Sequence, residues 1–296
     1  MRPIGSQSMV DELSYVIVKH PRHSHVDQDN VDDQWQALNY LGRPDFGRVL
    51  AEFDEFLSLL DGFGMEIGML PPAEGVGLDS IYTHDPVVIT NRGAILCTMG
   101  KAARLGEADA FAAYLRSVDV PILGRIEAPG TLEGGDVCWI DERTVAVGEG
   151  YRTNAEGIRQ FRALLGDAVD EVIPVPLPHW NGPDECLHLL SFISPVDRGL
   201  AVVYSRLMPV PFRQWLIARG IRLIEVPDEE YDSFACNVLA VSPGKVIMIA
   251  GNPITQSRLE AAGVEVHTFS GQDLCIKGGG GPTCLTRPIT RLTIFD

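Results

Sequence analysis

No stretch of these 296 residues approaches the ~20 consecutive apolar positions a membrane-spanning helix needs, so no membrane partner is expected. Met1 to Leu13 lacks the basic-then-apolar order of a secretory signal and reads as a loose leader. Basic charge is also scarce: 24 Lys and Arg stand against 40 Asp and Glu, a net charge of −16. A surface of that sign argues against nucleic acid as a partner, although local pockets can still take a carboxylated small molecule. Cys-x-x-Cys does not occur. The six cysteines lie mostly in apolar runs, which fits the reduced thiols of a cytoplasmic protein better than a disulfide framework. Cys97, Cys138 and Cys186 read as small buried hydrophobes. Cys and His are not paired at the usual zinc spacing, so no metal is expected.

What the chain does have is a repeated plan. A β-hairpin, an amphipathic helix and a further strand recur five times, with hairpins at Asp85–Met99, Glu133–Glu149, His188–Ser205, Asn237–Gly251 and Cys284–Phe295. Helices are predicted over Asp45–Asp61, Glu107–Val118, Asn154–Leu165, Pro211–Arg219 and Thr255–Ala262 from their apolar spacing, with Asn154 as an N-cap. Gly166, Gly220 and Gly263 suit the positions just past helix ends. A repeat of 47–55 residues that shares pattern but little identity fits a ring of five ββαβ units. A doubly wound parallel sheet would show no hairpin before each helix. The expectation is therefore a leader over residues 1–13 and one α/β propeller domain over 14–296. The polar segment His20–Arg43 breaks the plan and reads as a lid or a floppy surface excursion.

In a ring of equivalent units the hairpin starts converge, which brings Cys284, His188, Glu133 and Asp85 into one pocket. Cys284 follows Gly278-Gly279-Gly280-Gly281-Pro282-Thr283, a run that lets backbone approach a ligand and leaves a thiol accessible. A nucleophilic thiol needs a proton-handling partner, and His188 stands at the equivalent position. The other histidines that lack this equivalence, His20, His23, His25, His179 and His267, are expected on surfaces or in loops. Glu133-Gly134-Gly135-Asp136 reads as a tight turn with Asp136 bonding locally. Carboxylates aimed inward from Glu133 and Asp85 are costly without a cation, and a planar guanidinium satisfies two of them.

Leu132-Glu133-Gly134-Gly135-Asp136-Val137, Arg152-Thr153-Asn154, His188-Leu189-Leu190-Ser191 and Thr283-Cys284, in this order with Asp85 upstream, resemble the guanidine-modifying enzyme superfamily. The resemblance spans about Ser14 to Asp296 and is closest to the dimethylarginine hydrolases. It implies a fivefold α/β propeller that hydrolyses an N-substituted arginine to citrulline and an amine, without a cofactor. By position it implies Cys284 as nucleophile, His188 as general acid and base, and Glu133 orienting that histidine and touching substrate. Asp85 would grip the guanidinium, while Arg104 and Arg152 would hold the α-carboxylate. Three positions depart from the pattern: Leu190 replaces the aspartate of deiminases and amidinotransferases, His84 a glutamate, and Gly279 an acidic residue. The rival activities are an arginine deiminase or amidinotransferase; the non-enzymatic rival is a propeller used as a binding module. A homo-oligomer is left open.

Overall fold

The computed structural model describes residues 4–293, which form five three-stranded sheets with helices between them. Blade one holds Val87–Thr90, Gly93–Leu96 and Ile122–Arg125, and blade two Val137–Asp141, Thr144–Glu149 and Glu171–Pro176. Blade three holds Ile193–Asp197, Leu200–Val203 and Arg222–Glu225, and blade four Leu239–Ser242, Lys245–Ile249 and Glu265–Phe269. In each the first two strands run antiparallel and the third lies parallel to the second. A short turn returns a chain antiparallel, whereas a parallel neighbour requires a crossover. Glu107–Ser117, Ala155–Leu165, Val210–Ala218 and Pro253–Ala261 supply those crossovers, each within two residues of its expected span. Asn154 does cap its helix, accepting from the Gly157 N–H, and Gly220 and Gly263 take φ of 78° and 92° past the helix ends. The architecture is a fivefold α/β propeller.

Blade five corrects the sequence reading. The expected hairpin Cys284–Phe295 is, over its described part, one strand, Arg287–Leu292. Its antiparallel partner is the N-terminal strand Glu12–Val18, with Val16 opposite Pro288 and Ile17 opposite Arg287. Glu66–Met69 then adds in parallel after the helix Phe46–Gly62, Val16 facing Ile67. The physical reason is local: residues 286–293 contain no Gly, Asn or Asp that could make a tight turn. Phe295 lies outside the described residues.

The leader is not loose where it is described. Ser6, Gln7 and Asp11 are buried, Gly5 bridges to Thr290, and Gln7 Nε2 donates to the Glu142 carbonyl at 2.7 Å. Nor is His20–Arg43 a floppy excursion. It contains short helices Pro21–Ser24 and Gln28–Gln34, buries Val31, and carries His25, which is buried rather than on the surface.

Apolar side chains seal neighbouring blades. Phe192, Val202 and Val246 belong to a cluster spanning blades three and four, and Val16, Phe56 and Leu239 to one spanning blades four and five. Ile17, Val87 and Ile89 do the same between blades five and one. Ile17 is fully buried in the closing strand, whereas Val210 is 67% exposed. Ile17→Ala is therefore expected to cost about 2–5 kcal/mol in denaturant unfolding, and Val210→Ala under about 0.5 kcal/mol. Equal effects would contradict closure through this strand.

Candidate active site

The start of each expected hairpin stands just ahead of its blade's innermost strand, in a tight turn at one end of the ring. Glu133 precedes the one-turn helix Gly134–Asp136 and His188 precedes Leu189–Ser191. A cavity of about 390 Å³ opens there, lined by Asp85, Arg104, Arg152, His188, Asn237 and Cys284 among others. Leu41 from the 20–43 segment and Trp180 from the loop before His188 stand on its walls.

Glu133 is fully buried and lies behind His188 rather than on the cavity wall. Its Oε2 stands 2.7 Å from His188 Nε2. A carboxylate can only accept, so Nε2 carries the proton and Nδ1 faces the cavity. Oε1 accepts from the Gly100 and Lys101 N–H groups at 2.9 and 3.2 Å, and Arg152 Nη1 approaches Oε2 at 3.3 Å. Burial favours the neutral acid, but the His188 bond and charge, with Arg152, hold Glu133 below the usual carboxylate range. Glu133 thus holds the His188 imidazole by a hydrogen bond from behind.

His188 Nδ1 is 4.0 Å from Asp85 Oδ1 and 3.7 Å from the Cys186 sulfur. Burial works against an imidazolium, yet Cys186, Asp136 and Asp85 together raise His188 well above its ordinary value. Gly135 makes this seat possible, because a Cβ there would fall 2.9 Å from Asp85 Oδ1 and onto the imidazole itself. The expected tight turn is there, the Asp136 N–H donating to the Glu133 carbonyl at 3.0 Å, but the Asp136 side chain reaches further. Its carboxylate accepts from Thr153 Oγ1 at 2.6 Å and from the Leu189 N–H at 2.9 Å, which ties blade two to the turn carrying His188.

Asp85 Oδ1 accepts from the Gly135 N–H at 2.9 Å and Oδ2 from Arg104 Nη1 at 2.7 Å. Burial opposes its charge, but Arg104, His188 and His84 outweigh that and hold the carboxyl well below its usual range. Arg104 is otherwise committed: Nε and Nη2 donate to Glu107 at 2.9 and 2.8 Å, and Nη2 to the Tyr82 carbonyl at 3.1 Å. The arrangement makes Arg104 a holder of Asp85, which differs from the expected grip on an α-carboxylate. Arg152 is the less committed guanidinium on the wall.

The Cys284 sulfur lies 3.2 Å from Asn237 Nδ2, and Asn237 Oδ1 accepts from the Thr283 N–H at 3.1 Å. A main-chain N–H only donates, so the amide is oriented with its NH₂ group on the sulfur. Gly281 makes room for this, since a Cβ there would sit 2.6 Å from Asn237 Cγ. The glycine run therefore packs against protein: Gly280 likewise lies on Tyr82, where a Cβ would come within 2.5 Å of the ring. Burial, with Asp85 adding, pushes the Cys284 thiol up to about 12, while Asn237 and His188 pull the other way. Sequence reasoning gave Asn237 no role, although it opens a repeat unit as His188 and Cys284 do. Cys97 and Cys138 are buried as expected; Cys186 is exposed and lines the cavity, contrary to expectation.

Asp85, Glu133 and His188 offer donor atoms within 4.8 Å of one another, a spacing a cation could bridge. Those atoms are already committed to Arg104, Arg152 and each other. No helix among the described residues is long and apolar enough to cross a membrane.

Comparison with known proteins agrees with this geometry. Residues 28–291 match the family model described as N,N dimethylarginine dimethylhydrolase, eukaryotic. The chain is 30% identical over 277 residues to an N(G),N(G)-dimethylarginine dimethylaminohydrolase of Pseudomonas aeruginosa, covering 93% of this chain and 98% of that protein. A Pseudomonas aeruginosa dimethylarginine dimethylaminohydrolase solved as a cysteine-to-serine mutant with citrulline superposes with a TM-score of 0.75 at 27% identity, over 93% of this chain and 98% of that one. An amidinotransferase from Microseira wollei shares the fold alone, with a TM-score of 0.81 at 15% identity over 100% and 99% of the two chains. With the family model spanning most of its length and this relative matching nearly end to end, the chain belongs to the dimethylarginine dimethylaminohydrolase family.

Proposed function

We propose that the protein hydrolyses an N-methylated arginine, dimethylarginine first, to citrulline and a methylamine. The observation that carries this reading is the joint placement of the Cys284 thiol, the carboxylate-held His188 imidazole and the Asp85 carboxylate on a single cavity. Asp85, held anionic by Arg104, is the counter-charge for a guanidinium. Arg152, the less committed guanidinium on the wall, receives the substrate carboxylate. Leu190 lies on the wall where an unsubstituted guanidinium would want a second acid, and suits an N-methyl group.

The thiol is neutral at rest because burial and Asp85 disfavour a second negative charge. A bound guanidinium beside Asp85 removes that obstacle, and the thiol gives its proton to solvent water as the thiolate forms. The sulfur then attacks the guanidinium carbon, forming a C–S bond and a tetrahedral adduct. His188 gives its Nδ1 proton to the leaving amine as the C–N bond breaks. Water, deprotonated by His188, attacks the same carbon; the C–S bond breaks and citrulline leaves. Glu133 keeps the imidazole oriented and favours its charged form in the first half.

The primary test is mass spectrometry of the protein with arginine, monomethylarginine, dimethylarginine, agmatine and citrulline. Dimethylarginine is expected to yield citrulline and dimethylamine, and Cys284→Ser to lower the rate by at least about 10³-fold. Ammonia from plain arginine at a comparable rate would replace this reading with a deiminase.

The raised His188 fixes the sign of a pH effect. Its protonated form serves the first half-reaction, so kcat/KM falls as pH rises through the His188 value. Glu133→Gln removes the anion on Nε2, and the alkaline limb should move down by roughly 1 unit or more. An unchanged limb would assign it to another group. Asn237→Ala removes the amide donor from the sulfur. The pH midpoint for iodoacetamide alkylation of Cys284 should then rise relative to wild type; a fall or no change would remove Asn237 from thiolate stabilisation.

A further inference from the structure

Beneath the candidate active site, the innermost strands of all five blades surround the ring axis. Val88, Trp139, Pro195, Ala240 and Pro288, one from each blade, line a small cavity of about 20 Å³ there. His84 and Thr283 border both this cavity and the larger one. The N-terminal segment closes its floor through Ser6, Ser8 and Met9.

Two cations face this space. Arg287 and Arg291 lie four positions apart on the innermost strand of blade five, hence on one face, and both line the cavity. They are 5% and 8% exposed. Each uses part of its guanidinium on main chain: Arg287 Nη2 donates to the His84 carbonyl, and Arg291 Nη1 to the Asp11 carbonyl at 2.6 Å. The Nε atom of each is buried with no hydrogen-bond partner. Among the described residues no Asp or Glu lines the cavity. The nearby acids are engaged elsewhere, Asp11 with Arg198 at 3.3 Å and Thr293 at 3.1 Å, and Asp85 with Arg104 at 2.7 Å. Ser8 Oγ already accepts from the Val10 and Asp11 N–H groups, which leaves its own proton to donate. Burial lowers Arg287 to about 10 and Arg291 to about 9, against the pull of Asp85 on the one and Asp11 on the other, so both remain cations at neutral pH.

A buried charge without a partner costs far more than an unmade hydrogen bond. One water could accept from both Nε–H groups but would bring no negative charge between two cations that repel each other. An anion answers both needs, and the volume sets its size: about one water-sized particle fits, which excludes phosphate, sulfate and carboxylates. We propose that the central channel is a binding site for a small monovalent anion of the halide class, held by the Nε–H groups of Arg287 and Arg291 with Ser8 at its floor. The ion would be a structural ligand of the ring, one layer below Asp85, and the site stands whatever the substrate proves to be.

The test uses bromide as a probe. Crystals of the wild-type protein grown in sodium bromide should show an anomalous peak on the ring axis at hydrogen-bond distance from both Nε atoms. In solution at fixed ionic strength, replacing gluconate by bromide should raise the melting temperature by about 2–4 °C for each tenfold increase beyond half-saturation. Arg291→Met should abolish that increase. Arg291→Lys, which keeps the charge but loses the Nε–H, should weaken it and serves if the Met variant does not fold. No anomalous peak, a water alone on the axis, or equal melting in bromide and gluconate would each overturn the proposal.

Discussion

Everything at the candidate active site depends on one backbone pairing, that of Arg287–Leu292 with Glu12–Val18. Four blades are local structures in which a hairpin and its crossover strand lie close in sequence. The fifth exists only when the two ends of the chain meet. That meeting fixes the radius of the ring, and the radius decides whether turns from five different blades reach one cavity. Cys284 stands three residues before the closing strand, so the nucleophile's position is tied directly to closure. The apolar seals at Val16 and Ile17 hold its partner strand Glu12–Val18 from both sides.

Once the ring is closed, the problem becomes electrostatic. The cavity end buries Glu107, Asp85, Glu133, His188, Arg104 and Arg152 together in a protein whose overall charge is −16. The charges are arranged in alternating contact: Glu107 to Arg104, Arg104 to Asp85, Asp85 near His188, His188 to Glu133, Glu133 to Arg152. Such a chain satisfies each member while leaving Asp85 and His188 facing the space a substrate would fill. Removing any one member leaves its neighbour buried and unpaired, which is why such networks resist single substitutions.

Much of this was legible in the sequence. Hairpins in the first four blades and helix caps such as Asn154 need only local contacts. The repeat then placed Glu133, His188 and Cys284 at equivalent positions, and a chemical argument could start from their side chains. Closure was not legible, because the partner of Arg287–Leu292 lies at the far end of the chain and no local feature names it. Asn237 carried the same positional signal as His188, but an amide does no chemistry until something fixes which end faces the sulfur; the Thr283 N–H does that only in three dimensions. The contacts of Arg104 were hidden for a related reason. Its commitments to Asp85 and Glu107 are tertiary, and an arginine three residues before a glutamate looks like any surface pair. Cys186 sits beside Leu187 in an apolar stretch, yet the loop turns it outward into the cavity.

The five blades form a cycle, and a cycle has no first member. The order Asp85, Glu133, His188, Asn237, Cys284 reflects only how blade five is assembled, its inner strand Arg287–Leu292 following blade four and its middle strand Glu12–Val18 preceding blade one. Ring order, by contrast, is a physical property, since it sets which turn neighbours which across the axis. A polypeptide interrupted in a different blade, with blade five joined by an ordinary turn, would present the same constellation in a rotated reading order. For this architecture the meaningful alignment of functional residues is therefore circular, and linear position along the chain is a convention of synthesis.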